Sequence, residues 1–351
     1  MFDLNALMRP NIRALKPYSS ARSEFAGTAE VFLDANENAF GSPAGDGMNR
    51  YPDPLQTALK LRLADMLNVL PQQIFVGNGS DEAIDLLIRI FCVPGKDEIM
   101  ICPPTYGMYR VSADINDVTV KEVALTRKFQ LDVAPILQAV TERTKLIFAC
   151  SPNNPTGNQM DRTSIIEIAN NFGGLVVVDE AYIHFADADS MVKELGSLPN
   201  IVVLQTFSKA WGMAAIRVGL AITSREIVGS MNKVKPPYNV SGIAQQIALE
   251  ALNGRNLVDD WTAVAIRGRK EMADNLREFT FVEEIFPSDA NFLLLRVTDA
   301  STIYRYLIEQ KIVVRDRSNV ELCEGCLRIT VGTAEENERL IAALKRYSGS
   351  E

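Results

Sequence analysis

The 351-residue chain reads as an α/β protein. It should have a large domain with a mostly parallel central sheet flanked by helices, then a smaller α+β C-terminal domain. Two observations carry this. From residue 74 to 223, short β-branched runs alternate with helical stretches, and the runs are almost continuously hydrophobic, as strands covered on both faces must be. After about residue 250 the pattern changes to isolated strands set between amphipathic helices. The expected organisation is an N-terminal arm over 1–29, a large domain over 30–250 and a small domain over 251–351.

The strands of the large domain are read at Ile74–Val76, Glu98–Ile101, Leu146–Ala149, Leu175–Val178, Ile201–Leu204 and Val218–Ile222. Asp81 to Phe91 and Arg162 to Phe172 carry apolar residues at helical spacing between them. In the small domain a long helix, about Asn256 to Arg277, precedes strands at Asn291–Arg296 and Leu327–Val331. Helices near Ser301–Gln310 and Thr333–Tyr347 complete it, the last opening on a Thr333-x-x-Glu336 capping box. The first 30 residues resemble an arm that needs another surface to lie on.

Composition narrows the chemistry. A formal charge of −8 disfavours nucleic acid or an anionic membrane as partner. The apolar runs are strand-length, and the start shows no export signal, so a cytoplasmic protein is expected. The single histidine, His184, cannot make an H-E-x-x-H metal site, and no G-x-S-x-G elbow is present for it to serve. No metal is expected, and His184, between Ile183 and Phe185, reads as a partly buried structural residue. Five cysteines form no even framework. Cys323 and Cys326 have C-x-x-C spacing but lack a second ligand pair, which favours two structural thiols.

Five motifs follow strand ends, the edge where open α/β sheets bind ligands. Gly77-Asn78-Gly79-Ser80-Asp81 opens a helix, and free N–H groups there favour an anion such as phosphate, although an ordinary capped turn reads equally well. Thr206-Phe207-Ser208-Lys209, with Arg217 eight residues on, puts an amine beside a hydroxyl and a guanidinium fork. A lysine so placed can bind an aldehyde cofactor as a Schiff base. Asp179 ends a fully apolar strand, where a carboxylate needs a compensating cation; a protonated pyridine nitrogen is one. Tyr182 lies one turn further. Asn154, in the rigid Ser151-Pro152-Asn153-Asn154-Pro155 loop, offers an amide, and Tyr106 offers a ring for stacking. Singly, each of these is also explained by turn or cap chemistry.

In their order and spacing, with 30 residues between Asp179 and Lys209, the motifs N-N-P-T-G, D-E-A-Y and S-K-A resemble those of fold-type I aminotransferases. The resemblance implies pyridoxal 5'-phosphate (PLP) on Lys209, with Asp179 at the pyridinium and Tyr182 and Asn154 at O3'. It implies Tyr106 as the stacking ring and Ser80, Asp81, Thr206, Ser208 and Arg217 around the phosphate. Within that superfamily the chain is most similar to the histidinol-phosphate aminotransferases. Arg13–Tyr18, Leu33–Asn38, Arg50–Pro54, Val314–Asp316 and Gly325–Gly332 carry the likeness, with Ala39 where proline is more usual. This implies Tyr18, Asn36, Arg315 and Arg328 as substrate contacts, and Tyr51 reaching the neighbour's cofactor phosphate in a homodimer. Histidinol phosphate, glutamate and 2-oxoglutarate are the implied substrates.

The arginines have a physical rationale of their own. A guanidinium fork suits both a phosphate and a carboxylate, so Arg328 can serve both half-reactions, and Arg315 adds the second charge a phosphate rewards. The rival expectations are an aromatic-amino-acid aminotransferase and a PLP-dependent threonine-phosphate decarboxylase.

Overall fold

The computed structural model describes residues 2–18 and 30–348; Met1, residues 19–29 of the expected arm and residues 349–351 lie outside them. Seven strands form the main sheet: β1 (Ile74–Asn78), β2 (Glu98–Ile101), β3 (Thr119–Glu122), β4 (Thr144–Cys150), β5 (Leu175–Asp179), β6 (Ile201–Thr206) and β7 (Val218–Ile222). Their order is β1-β7-β6-β5-β4-β2-β3. The pairings from β6 through β5, β4 and β2 to β3 are parallel, whereas β7 runs antiparallel to both β6 and β1. The mostly parallel sheet is thus as expected.

The sequence dictates this core directly. All five residues of β5 are buried, with Val176, Val177 and Val178 at 1% exposure or less. Each such side chain contributes roughly 1.5–3 kcal/mol of burial. Alternate residues of the strand enter opposite clusters: Val176 and Val178 face one helical layer, Leu175 and Val177 the other.

Helices cover both faces. Two short ones, α1 (Leu4–Leu7) and α2 (Pro10–Ala14), precede α3 (Thr57–Leu67), α4 (Ser80–Phe91), α5 (Met108–Ile115), α6 (Val133–Ala139) and α7 (Arg162–Asn171). The remainder are α8 (Arg225–Val234), α9 (Gly242–Ala251), α10 (Arg255–Leu276), α11 (Ala300–Glu309) and α12 (Ala334–Ser348). Part of the arm finds its surface within its own chain: Met8 and Ile12 bury against the cluster containing Phe75 and Ile90, and Arg9 Nη1 donates to the Arg89 carbonyl.

A second, antiparallel sheet has the order β10-β11-β9-β8, from β8 (Val282–Ile285), β9 (Phe292–Val297), β10 (Arg315–Asp316) and β11 (Cys326–Thr330). With α11 and α12 it encloses a third apolar cluster. Its other side joins the main core, since Phe292, Leu294 and Cys326 pack in the cluster that holds Val178 and Tyr182. That seam sets Arg328, on β11, against the C-terminal edge of the main sheet.

Candidate active site

Parallel register brings the motifs together. Cys150 pairs with Asp179 and Asp179 with Leu204, so the ends of β4, β5 and β6 lie level. Backbone bonds continue the pairing past the strands: Ser151 N–H to Asp179 O, and Glu180 N–H to Leu204 O. The loops that follow surround a cavity of about 600 Å³. Its walls include Ser80, Asp81, Tyr106, Asn154, Asp179, Tyr182, Thr206, Ser208, Lys209, Arg217, Arg315 and Arg328.

Asp179 lies at the base. It is 3% exposed and pairs with no Lys or Arg within 4 Å among the described residues. Oδ2 accepts from the Tyr109 hydroxyl at 2.8 Å and Oδ1 from the Ala181 N–H at 3.1 Å. Burial pushes its carboxyl above the ordinary range despite those donors. A buried acid without a side-chain cation suits a cationic ring nitrogen.

Lys209 opens onto the same cavity, its Nζ 5.4 Å from the Tyr182 ring centroid. Burial first, then the charge of Arg328, holds its ammonium below the ordinary lysine range, favouring the nucleophilic amine. Tyr182 is buried, edge-on to Phe292 at 5.2 Å, and burial raises its phenol pKa.

An anion cup lies at the start of α4. Gly79 at the N-cap has φ +79° and no side-chain cap, so the first-turn N–H groups are left for a ligand. Gly219 on β7 must lack a side chain, because a Cβ there would stand 2.1 Å from the Ser80 nitrogen. Arg217 adopts left-handed φ 54°, donates to Ser208 Oγ at 3.2 Å and lies 3.5 Å from Asp81. Such strain in a residue other than glycine is typical of functional sites. Thr206 Oγ1 accepts the Ser208 N–H at 3.1 Å. The Asp81 carboxylate faces Arg217 and Tyr106, whose hydroxyl donates to it at 3.2 Å. Backbone donors, a hydroxyl and a guanidinium fit a phosphate monoester; with Asp179 and Lys209 beside them, the residues fit PLP.

Arg328 Nη1 donates to Asn154 Oδ1 and its guanidinium lies 5.1 Å from the Phe292 ring. Asn154 thereby presents its Nδ2 as a donor. Arg315 faces Arg328 directly across β10 and β11. Three expected contacts do not line the cavity: Tyr18 and Asn36 are exposed, and Tyr51, 51% exposed, stacks on Tyr238 at 4.5 Å. All three stand in the chain before β1, outside both sheets.

Two contributors were not singled out from sequence. Tyr109 is fully buried, stacked on Phe148 at 4.7 Å, and its only signal is a position one helical turn after Tyr106. Arg317 also lines the cavity, two residues after Arg315. His184 is edge-on to Trp211, away from the cavity, and Cys323 and Cys326 are buried free thiols. No group of three His, Cys, Asp or Glu side chains among the described residues could hold a metal, and no described helix is long and apolar enough to cross a membrane.

A doubly covered sheet with an amine, a buried acid and an anion cup at one edge defines a PLP-type transferase. The chain belongs to the aminotransferase class I and II family, whose model matches residues 22–344. It is 54% identical to a histidinol-phosphate aminotransferase of Cytophaga hutchinsonii, over 99% of each chain. It is 52% identical to one of Bacteroides fragilis, over 99% of this chain and all of that one. Among solved structures, the histidinol-phosphate aminotransferase of Sinorhizobium meliloti in complex with pyridoxal-5'-phosphate shares the fold, with TM-score 0.80, 24% identity and 90% of each chain covered.

Proposed function

We propose that the protein exchanges an amino group between L-glutamate and imidazole-acetol phosphate, giving 2-oxoglutarate and L-histidinol phosphate, with PLP as cofactor. The observation that carries this is the convergence of Lys209, Asp179 and Arg328 on one cavity. Relatives at about half identity over the full chain bear the corresponding name, which favours this reading over the aromatic-substrate and decarboxylase alternatives.

When bound, PLP supplies an electron sink for charge developing at the amine-bearing carbon. Lys209 Nζ would hold the cofactor aldehyde covalently and, as a free amine, would carry a proton between the substrate's amine-bearing carbon and the cofactor's C4'. Asp179 would hold a proton on the ring nitrogen, because an adjacent carboxylate favours the charged form. Tyr182 and the Asn154 Nδ2 would hold the cofactor's O3', and Tyr106 would lie against its ring. Ser80, Asp81 through its backbone, Thr206, Ser208 and Arg217 position the phosphate. Arg328 and Arg315 hold substrate oxyanions. The exchange is ping-pong, since one cavity serves both donors in turn.

We further propose a division into arm (1–29), large domain (30–250) and small domain (251–351), supported by the separate third cluster. A cytoplasmic homodimer in histidine biosynthesis fits the same reading. In it Tyr18, Asn36 and Tyr51 complete the neighbour's site, and the exposed Val31, Leu33, Phe40 and Leu55 gain cover. A half-reaction scan tests the function: the purified holoenzyme is mixed with each amino donor and the cofactor absorbance followed. L-Histidinol phosphate and L-glutamate should each convert it. Conversion by aromatic amino acids alone, or release of CO₂ from phosphothreonine, overturns the assignment.

A further inference from the structure

Three guanidiniums, not two, converge on the substrate end of the cavity. Arg315 is the direct cross-strand partner of Arg328. Beyond Asp316 the strand pairing continues, with the Arg317 N–H donating to the Cys326 carbonyl at 2.8 Å. Residues two apart on a strand share a face, and directly paired residues lie on the same side. Arg315, Arg317 and Arg328 therefore leave one face of the small sheet, and all three line the cavity.

No carboxylate lies within 4 Å of any of the three among the described residues. Asp316, between two of them in sequence, points its Oδ1 to the Ser318 N–H at 2.8 Å. The Nε atoms of Arg317 and Arg328 are buried without a partner. Arg317 is further disfavoured as a cation by burial and then by Arg315, and Arg328 by burial and then by Arg317. Two half-buried guanidiniums with unused buried donors, beside a third at the rim and with no carboxylate to neutralise them, are costly until an anion arrives.

The set also holds more charge than a single carboxylate needs. Glutamate divides its two negative charges between carboxylates at its two ends, whereas histidinol phosphate concentrates nearly two on one phosphoryl group. Arg328 shares the cavity wall with Lys209, and its charge bears on that amine more than any other, so it is placed to meet either oxyanion.

Building on the proposed transamination, we propose that Arg317 is a specificity residue. Its guanidinium engages the phosphoryl end of a phosphorylated amino alcohol and leaves glutamate untouched. The extra cation thus biases the site toward phosphomonoester substrates.

The test compares wild-type, Arg317→Gln and Arg317→Lys holoenzymes in separate half-reactions with L-histidinol phosphate and L-glutamate. Loss of one charge-assisted contact should lower kcat/KM for histidinol phosphate by roughly 10- to 100-fold in Arg317→Gln, with less than about a threefold change for glutamate. Arg317→Lys should fall between, since an ammonium keeps the charge but not the fork. Equal losses with both donors, or no loss with either, overturn the assignment. Calorimetric titration of the holoenzymes with inorganic phosphate gives a second readout. Affinity should drop in Arg317→Gln at unchanged melting temperature, and unchanged affinity overturns the role. Should wild type itself reject histidinol phosphate, the proposed substrate fails, and the phosphate titration still decides Arg317.

Discussion

The Tyr109 hydroxyl donates to Asp179 Oδ2 across 2.8 Å of fully buried interior, tying helix α5 to the end of strand β5. Burial holds the phenol well above its ordinary pKa, so Tyr109 stays a neutral donor at any working pH. One carboxylate oxygen is thereby fixed, and the other faces the Ala181 N–H and the cavity.

Two substitutions separate position from charge. Asp179→Asn retains shape and hydrogen bonding but not the charge that keeps a ring nitrogen protonated, so turnover should fall by more than about 100-fold. Tyr109→Phe leaves a buried carboxylate oxygen unpartnered and should cost about 1–3 kcal/mol of stability in denaturant unfolding. Near-normal turnover of the asparagine variant would refute the electron-sink assignment.

Lys209→Ala should fold and still bind PLP in the anion cup, whose donors come from β6–β7 and α4 rather than from the lysine. Covalent attachment should vanish. After borohydride treatment, mass spectrometry of wild type should show the cofactor on the peptide containing Lys209, and of the variant on none. A cofactor-bearing peptide from the variant would move the anchor elsewhere.

Lys209 and Asp179 were legible in the sequence because one stands just past an apolar strand and the other ends one, where an ionisable group is costly without a purpose. The parallel register then brought them together without further information. Strand direction was less accessible. β7 follows β6 after residues 207–217 with no long crossover helix, a connection short enough for an antiparallel return. β3 escaped notice because four half-exposed residues give too little alternation. Tyr109 and Arg317 escaped for a different reason: their roles depend on what faces them across the fold. Arg317 stands just past a two-residue strand, too short to show periodicity. Tyr18, Asn36 and Tyr51 were read from resemblance alone, and one chain by itself does not bring them to the cavity.

His184 sets a pH dependence of stability. Burial, then the charge of Arg255, lowers its pKa from 6.5 to about 4 in the folded chain. Below pH 6.5 the unfolded chain takes up a proton that the folded one refuses. Its contribution is therefore complete above pH 6.5 and declines as pH falls toward 4, by at most about 1.4 kcal/mol per pH unit. Urea unfolding of wild type and His184→Gln at several pH values isolates this from the carboxylates. The stability difference between the two should shift across that window and be flat above it; a constant difference throughout would show that His184 does not titrate on unfolding.

In the proposed reaction Arg328 serves both donors, so its loss should be felt in both half-reactions. Arg328→Gln keeps much of the volume and can still reach Asn154, but it removes the charge and one arm of the fork. It also takes away the cation lying against Phe292. The loss of a desolvated charge-assisted contact is on the order of 2–5 kcal/mol, so kcat/KM should fall at least about tenfold with histidinol phosphate and with glutamate alike. Arg315 is exposed at the cavity rim as the cross-strand partner of Arg328, and in the proposed reaction it meets the phosphate's additional charge. Arg315→Gln should therefore weaken histidinol phosphate more than glutamate, and higher salt should narrow the gap because a rim charge is screened. Stopped-flow half-reactions at two ionic strengths measure both effects. Small and equal losses in the two variants would make these arginines structural and bring the aromatic-substrate alternative forward.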